Sequence, residues 1–236
     1  YHDIWIYGLE EMGSPVEGLG LSPATLAKMS YTGNLGREIP SVRNWVAPLD
    51  LDDPFILVTA GGGGDGVEMV DWVLRAYEST TTLPVRAVIV TGPFMQPAEQ
   101  QEFHERCDAL DNVDILTFDS HIELLMQKAI AIVAMGGYNT FCEILTLDKP
   151  GLIIPRSVPR QEQLIRAERA VQLGLVSMLD PAGERDAAQM VAALQALPDQ
   201  PKPSSVKITG LLSGQANIAE MVRGYLEPRK QASVTG

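Results

Sequence analysis

Hydrophobic residues along the chain concentrate in short continuous runs, most of them rich in valine and isoleucine. Such runs are typical of strands that are buried on both faces of a sheet, because a strand with one exposed face alternates apolar and polar residues. Six runs fit this description and predict strands at residues 3–7, 55–60, 86–91, 113–118, 129–134 and 151–155.

Helical patterns fill the intervals between these strands. Apolar residues recur at helical spacing in 67–78, and a second helix is predicted to begin at Pro97, because proline suits a first helical turn. A third is predicted to end at Gly174, and two more to span 138–147 and about 213–226. Strands that alternate with helices predict an α/β fold, a doubly wound Rossmann-like parallel sheet with helices on both faces.

The two ends of the chain differ from this alternating region. Residues 1–40 hold one predicted strand, a turn-rich stretch and a short helix, and we expect them to be the remnant of a preceding domain and its hinge. Residues 41–228 are expected to form the main domain, and 229–236 a disordered tail. Because the chain begins with Tyr1 rather than methionine, we expect a missing upstream segment.

Composition narrows the classes of partner and location. Eighteen basic against thirty acidic side chains give a net charge of -12, which disfavours nucleic acid and anionic membranes as partners. Cys107 and Cys142 are too few for a disulfide framework and indicate a reducing compartment. No apolar run approaches the roughly 20 residues of a transmembrane helix, and no signal-like start is present. A cytoplasmic location is expected, with peripheral membrane association as the alternative.

Ligands of open parallel sheets bind beyond the carboxyl ends of the strands, so the loops there are the candidate sites. A glycine-rich loop at 61–66 follows one strand, and Gly61, Gly63 and Gly66 match the G-x-G-x-x-G pattern. No acid ends strand 86–91, as a dinucleotide site requires, and no Lys-Ser/Thr pair follows, as in a P-loop. A phosphate-binding loop and a flexible turn both remain open.

A second candidate follows the strand 129–134. Gly136 and Gly137 form a turn, Asn139 and Thr140 follow it, and Glu143 lies one turn into the next helix. An anion could dock on the first N–H groups of that helix, while the carboxylate accepts bonds from two vicinal hydroxyls, as in a ribose. Alternatively, Glu143 complements the helix dipole, an effect of about 0.3–1 kcal/mol. The residues alone favour neither interpretation.

The third candidate loop follows the strand 151–155. Arg156 and Arg160 bring positive charge to the sheet edge of an acidic chain and could serve as charge partners for a phosphate. Glu162 and Gln163 open the next helix and could bind a polyhydroxylated ligand. Taken alone, this loop is better explained as a solvated segment with an acid at a helix N-terminus.

Together, these residues resemble the nucleotide-sugar-binding half of GT-B glycosyltransferases. "GGYNTFCE", followed about twenty residues later by "RQEQ", is similar to the signature of the bacterial peptidoglycan N-acetylglucosaminyltransferase family. The likeness covers residues 30–180, and its specific part is 113–167. It implies the C-terminal half of a GT-B fold and identifies 41–228 as the nucleotide-sugar-binding domain.

The resemblance also implies a role for each matching residue. Two departures accompany it: Met135 stands where plant-type relatives carry a histidine, and Glu162 stands where the similar family has glutamine. The implied roles are ribose binding for Glu143, base binding for Phe118, sugar binding for Glu162 and Gln163, and diphosphate binding for Gly136, Gly137, Asn139, Thr140, Gly63 and Gly64.

The implied function is the donor-binding half of a transferase that takes a sugar from a UDP-sugar, similar to UDP-GlcNAc, to an unknown acceptor. The acceptor and the catalytic base would come mainly from the missing half, so we expect the fragment to be inactive alone. No catalytic residue, metal or cofactor other than the donor substrate is assigned. The alternatives are a sugar-nucleotide epimerase or hydrolase of the same fold, or a non-catalytic nucleotide-sugar-binding subunit. A dinucleotide oxidoreductase is disfavoured by the missing acid.

Overall fold

The computed structural model describes most of the chain. The described residues are 1–14, 16, 19–40, 42, 45–159, 161–180 and 182–226. Two sequence predictions, the charge-partner role of Arg160 and the disordered tail 229–236, lie outside the described residues.

Eight strands occur in the described residues, and they include all six predicted ones. These six strands are one or two residues shorter than the apolar runs that predicted them, because the terminal residues of the runs belong to loops. In chain order the strands are β1 (Ile4–Tyr7), β2 (Met29–Gly33), β3 (Phe55–Thr59), β4 (Arg86–Val90), β5 (Val113–Leu116), β6 (Ala131–Ala134), β7 (Gly151–Ile153) and β8 (Ser177–Met178).

The α-helices also include the predicted ones, together with two that the sequence patterns did not predict, α4 and α7. In chain order the helices are α1 (Pro23–Leu26), α2 (Val67–Ser79), α3 (Pro97–Cys107), α4 (Ile122–Lys128), α5 (Tyr138–Thr146), α6 (Glu162–Gln172), α7 (Ala187–Ala196) and α8 (Gly214–Leu226). Pro97 does occupy the first turn of α3, and Gly174, with a positive φ of 73°, follows the end of α6.

The chain forms two compact units. The first contains the described residues of 1–36 and 208–226. In it β1 and β2 pair in parallel, and the Asn217 amide in α8 donates to the Thr32 carbonyl oxygen at 2.8 Å. The expectation of a single strand within residues 1–40 was therefore wrong. The β2 sequence, "MSYTG", has no apolar run, and its strand depends on pairing with β1. That residues 1–40 derive from a preceding domain stays a prediction.

The second unit, residues 37–207, holds a six-stranded parallel sheet in the order β5-β4-β3-β6-β7-β8. All five residues of β3 are buried. Ile56 and Val58 belong to one apolar cluster, whereas Phe55 and Leu57 belong to another, so successive side chains pack against opposite faces. A sheet covered on both faces by helices confirms the predicted doubly wound α/β fold.

The strand order places a topological switch point in the middle of this sheet. From β3 the chain proceeds outward to β4 and β5, and then returns to place β6 on the other side of β3. Helices that follow β3 and β6 therefore lie on opposite faces, and a crevice opens at the carboxyl ends of these two strands. Both predicted glycine turns, at 61–66 and 136–137, occur there.

Candidate functional site

The glycine-rich turn after β3 is held close to the loop that follows β4. The Phe94 N–H donates to the Gly62 carbonyl oxygen at 2.9 Å. Gly63 has a φ of 92°, and a Cβ at this position would collide with the Thr91 carbonyl oxygen. Only glycine therefore fits at position 63, and backbone atoms rather than a side chain form this part of the crevice wall.

The turn after β6 is equally restricted. Gly136 has a φ of 77°, and a Cβ there would lie 2.7 Å from Cγ2 of Ile153 in β7. Helix α5 begins directly after Gly137, its N-cap residue, which makes no side-chain capping hydrogen bond. The first N–H groups of a helix have no partner within it, so this end of α5 can accept an anion.

The two turns line one cavity of about 520 Å³. The cavity brings together all six residues predicted to bind the diphosphate, one sugar-binding candidate and one charge partner. Its wall also includes Asp65, Phe94 and Tyr138, which the sequence analysis did not assign. The predicted residues that line it are Gly63, Gly64, Gly136, Gly137, Asn139, Thr140, Arg156 and Gln163.

Arg156 spans the cavity between two carboxylates. Its guanidinium forms ion pairs with Asp65 of the glycine-rich turn and with Glu162 at the start of α6, the latter at 3.2 Å. The backbone N–H of Arg156 donates to Oε1 of Gln163 at 3.2 Å. The hydrogen bond to Glu162 and the two acidic neighbours raise the pKa of Arg156. The two carboxylates thus compensate the positive charge of Arg156, and the ion pair with Arg156 holds the Glu162 side chain.

A second arginine, Arg166 of α6, contacts the other glycine turn. Its Nη1 donates to the Gly136 carbonyl oxygen at 2.9 Å, and its guanidinium carbon lies 5.5 Å from the centre of the Tyr138 ring. Burial lowers the pKa of Arg166 from its usual range. The sequence pattern gave no signal for this residue, because its neighbours in "QLIRAERA" are those of an ordinary amphipathic helix.

Glu143 is buried, with 8% of its surface exposed, and lies one helical turn beyond the cavity wall. Its Oε1 accepts from Nε of Arg37 at 3.4 Å, whereas Oε2 has no hydrogen-bond partner among the described residues. Burial raises the pKa of Glu143, and the positive charge of Arg37 acts in the opposite direction. A carboxylate with one oxygen unused could accept from a ligand hydroxyl.

Two assigned residues stand apart from the cavity. Phe118, 61% exposed, and Glu162 are not among the described residues that line it. Phe94, which is 72% exposed, provides an aromatic ring at the cavity wall instead. Near Phe118, the first turn of α4 contains Glu123, whose Oε2 is buried without a partner among the described residues. The roles predicted for Phe118 and Glu162 stay predictions.

Among residues 1–226, leaving aside the gaps given above, no cluster of three or more His, Cys, Asp or Glu side chains could hold a metal ion. No helix in the same part of the chain is long and apolar enough to cross a membrane.

The chain matches a known protein family. The model of the glycosyltransferase family 28 C-terminal domain matches residues 55–220, well over half of the chain. The chain belongs to the glycosyltransferase family 28 C-terminal domains. The matched residues contain β3 to β8 and every residue that lines the cavity. The resemblance to the sugar-donor half of GT-B glycosyltransferases is thereby confirmed.

Individual relatives agree with this family 28 assignment. The chain is 27% identical over 140 residues, 58% of its length and 38% of the relative's, to the UDP-N-acetylglucosamine–N-acetylmuramyl-(pentapeptide) pyrophosphoryl-undecaprenol N-acetylglucosamine transferase of Leuconostoc citreum. It spans little more than a third of the length of the curated relatives it matches.

Solved structures share the fold of this family 28 domain. The calicheamicin glycosyltransferase superposes with a TM-score of 0.61 at 18% identity, over 97% of this chain and 53% of that protein. The glycosyltransferase VinC in complex with dTDP gives a TM-score of 0.52 at 20% identity, over 94% and 47% of the two chains. At these identities the likeness establishes the GT-B architecture and leaves the substrate open.

Proposed function

We propose that this family 28 domain binds the nucleoside diphosphate of a UDP-sugar, and that a protein containing it transfers the sugar, similar to GlcNAc, to an acceptor. The observation that carries the proposal is the cavity at the switch point, where two glycine turns meet the start of α5, whose N-cap residue is a glycine. Backbone N–H groups at such a place suit a diphosphate, because they donate to its oxygens without bringing a side chain into the space.

The remaining parts of a donor have partners around this cavity. Glu143, with Oε2 unused among the described contacts, is suited to ribose hydroxyls. Gln163 lines the cavity and uses its Oε1 on the Arg156 N–H, which leaves its amide nitrogen to donate to a sugar hydroxyl. A ribose presents two vicinal hydroxyls and a deoxyribose only one, so a ribose-binding Glu143 favours UDP over dTDP.

Sugar transfer would need residues beyond those of the cavity wall. The charged residues of the described wall are Asp65 and Arg156, and they are paired with each other. Oδ2 of Asp65 accepts from the Arg156 guanidinium, so this oxygen is not available to take a proton from an acceptor hydroxyl. We therefore propose that the described residues bind the donor, that the acceptor and the base lie elsewhere, and that the isolated chain is inactive.

A calorimetric titration of the chain with UDP, dTDP and NAD tests the proposal. We expect UDP to bind most tightly. Thr140→Val removes one hydroxyl from the α5 turn while keeping the side-chain volume, and should weaken UDP by about tenfold, the value of one hydrogen bond to a charged group. Thr82→Val, on an exposed loop after α2, is the matched control.

Each result has a defined meaning. Tighter binding of NAD than of UDP would overturn the proposal in favour of a dinucleotide site. UDP binding that is equally insensitive to both threonine substitutions would remove the α5 turn from the site. Equal affinities for UDP and dTDP would leave the diphosphate site intact and dismiss the two-hydroxyl role of Glu143.

A further inference from the structure

The turn before α5 contacts an arginine, Arg166, that is not among the residues of the cavity wall. Arg166 donates to the carbonyl oxygen of Gly136, which does line the cavity, at 2.9 Å. Its guanidinium also faces the ring of Tyr138, the first residue of α5. Both residues that it contacts, Gly136 and Tyr138, also line the cavity.

The charge of Arg166 is weakly compensated compared with that of the other arginines nearby. Arg156 forms ion pairs with two carboxylates, and Arg37 with one. In the part of the chain that the structure describes, no carboxylate lies within ion-pair distance of Arg166. Glu162, one helical turn earlier, acts on it only at longer range, because its Oε1 accepts from Arg156. A partly desolvated cation without a close anion is costly to the fold.

The contact also fixes the direction of a peptide group. A trans peptide is planar, so its C=O and N–H point in opposite directions. When Arg166 holds the Gly136 carbonyl oxygen, the N–H of Gly137 must point away from Arg166. Gly136, with its φ of 77°, has no Cβ that would restrict this peptide, so the arginine supplies the constraint that the glycine lacks.

Met135, the residue before this turn, brings no charge. It is 9% exposed and belongs to the apolar cluster that contains Ile56 and Val58. Any positive charge for an anion at the α5 turn must therefore come from another element, and in the described contacts Arg166 is the cation that touches the turn.

We propose that Arg166 is a positioning residue for the donor phosphates: it orients the Gly136–Gly137 peptide and supplies the positive charge that the bound phosphates neutralise. This inference rests on the proposed function, because it assumes that phosphates occupy the α5 turn. The guanidinium is already held by a carbonyl oxygen and a ring, so little further side-chain freedom is lost when the anion arrives.

The test compares how affinity depends on the number of phosphates. Uridine, UMP and UDP are titrated by NMR into the wild-type chain and into Arg166→Gln and Arg166→Lys. Glutamine keeps a donor for the Gly136 carbonyl oxygen and removes the charge, whereas lysine keeps the charge and loses the planar fork. Arg169→Gln is the matched control, because Arg169 lies in the same helix and contacts Gln172 rather than the turn.

For Arg166→Gln we expect UDP to weaken by about tenfold, UMP by less, and uridine not at all, because the lost interaction is with the phosphates. Arg166→Lys should retain most of the preference for UDP over uridine, and Arg169→Gln all of it. Raising the salt concentration should weaken UDP more in the wild type than in Arg166→Gln.

Three outcomes would overturn the inference. An equal loss for all three ligands in Arg166→Gln would indicate a structural role only. Unchanged UDP affinity would show that the charge does not reach the phosphates. If the wild-type chain prefers uridine to UDP, the proposed function itself fails. Should Arg166→Gln not fold, as judged by its circular dichroism, Arg166→Lys decides, since loss of the phosphate preference there with the fold intact contradicts a role based on charge.

Discussion

Replacing Glu143 by glutamine separates the effect of this carboxylate on the stability of the fold from its effect on UDP binding. The substitution keeps the shape of the side chain and removes its charge. Glu143 is buried, and burial raises its pKa, so the empty protein holds this charge at an energetic cost. We expect the variant to be as stable as the wild type or more stable, while it binds UDP less well.

The structure sets the size of both effects. The partner of Glu143 is Arg37, whose side chain is 42% exposed, through one contact of 3.4 Å. A half-exposed ion pair of this kind contributes about 0–1 kcal/mol, and relief of the burial penalty offsets its loss. Hydrogen bonds from ribose hydroxyls to a charged acceptor are worth about 1.5–3 kcal/mol. The loss of UDP affinity should therefore be about ten- to a hundredfold.

The pH dependence gives a second signature of Glu143. Its folded-state pKa is raised, so the folded chain binds this proton more tightly than the unfolded chain does. The free energy of unfolding should therefore fall as pH rises from about 4.3, the ordinary carboxyl value, to the raised folded value. UDP affinity should rise over the same window, because the ligand requires the charged form. Glu143→Gln should lack both components.

Urea denaturation and calorimetric titration with UDP, on the same preparations at several pH values, measure the two quantities. Glu168→Gln, an exposed change in α6 with the same loss of charge, is the control. A Glu143→Gln variant that loses several kcal/mol of stability and binds UDP like the wild type would refute the reasoning, because the carboxylate would then be a structural group.

Three further predictions follow from other contacts. Gly136→Ala should lower the free energy of unfolding by about 2–4 kcal/mol, from a positive φ plus overpacking, whereas Gly64→Ala, with open space around it, should be nearly neutral by urea denaturation. Asp65→Asn should change stability by less than about 1 kcal/mol and strengthen UDP binding in calorimetry, because Arg156 loses one of its two anions. Cys107, whose pKa burial raises to about 12, should react with a thiol reagent at pH 8 only when urea unfolds the chain.

The central sheet could be predicted from sequence because its strands are buried on both faces. The β3 run "FILVT" carries its own signal, since each residue packs against one helix layer or the other. The strand β2 has the sequence "MSYTG" and β8 only two residues, Ser177 and Met178. Their extended conformation depends on pairing with β1 and β7, which no local pattern records.

The candidate site likewise has features that the local sequence predicts and features that depend on the fold. The glycine turns could be predicted because glycines such as Gly136 mark turns in the sequence itself. The contacts between charged groups could not. Arg37 meets Glu143 across 106 residues, and Arg156 meets Asp65 across 91, so both depend on the strand order. Glu162 shows the same limit at short range, because its ion pair with Arg156 depends on how the loop between them turns.

The strand order has a consequence for the way the chain folds. The cavity lies where β3 and β6 meet, although about 70 residues separate them and β3, β4 and β5 can pair before β6 is available. Closing that distance is the entropically slow step of such a sheet. A partly folded chain that lacks the β3–β6 pairing has two separate glycine turns and no crevice. Nucleotide binding thus reports, in a refolding experiment, the moment at which the sheet is complete.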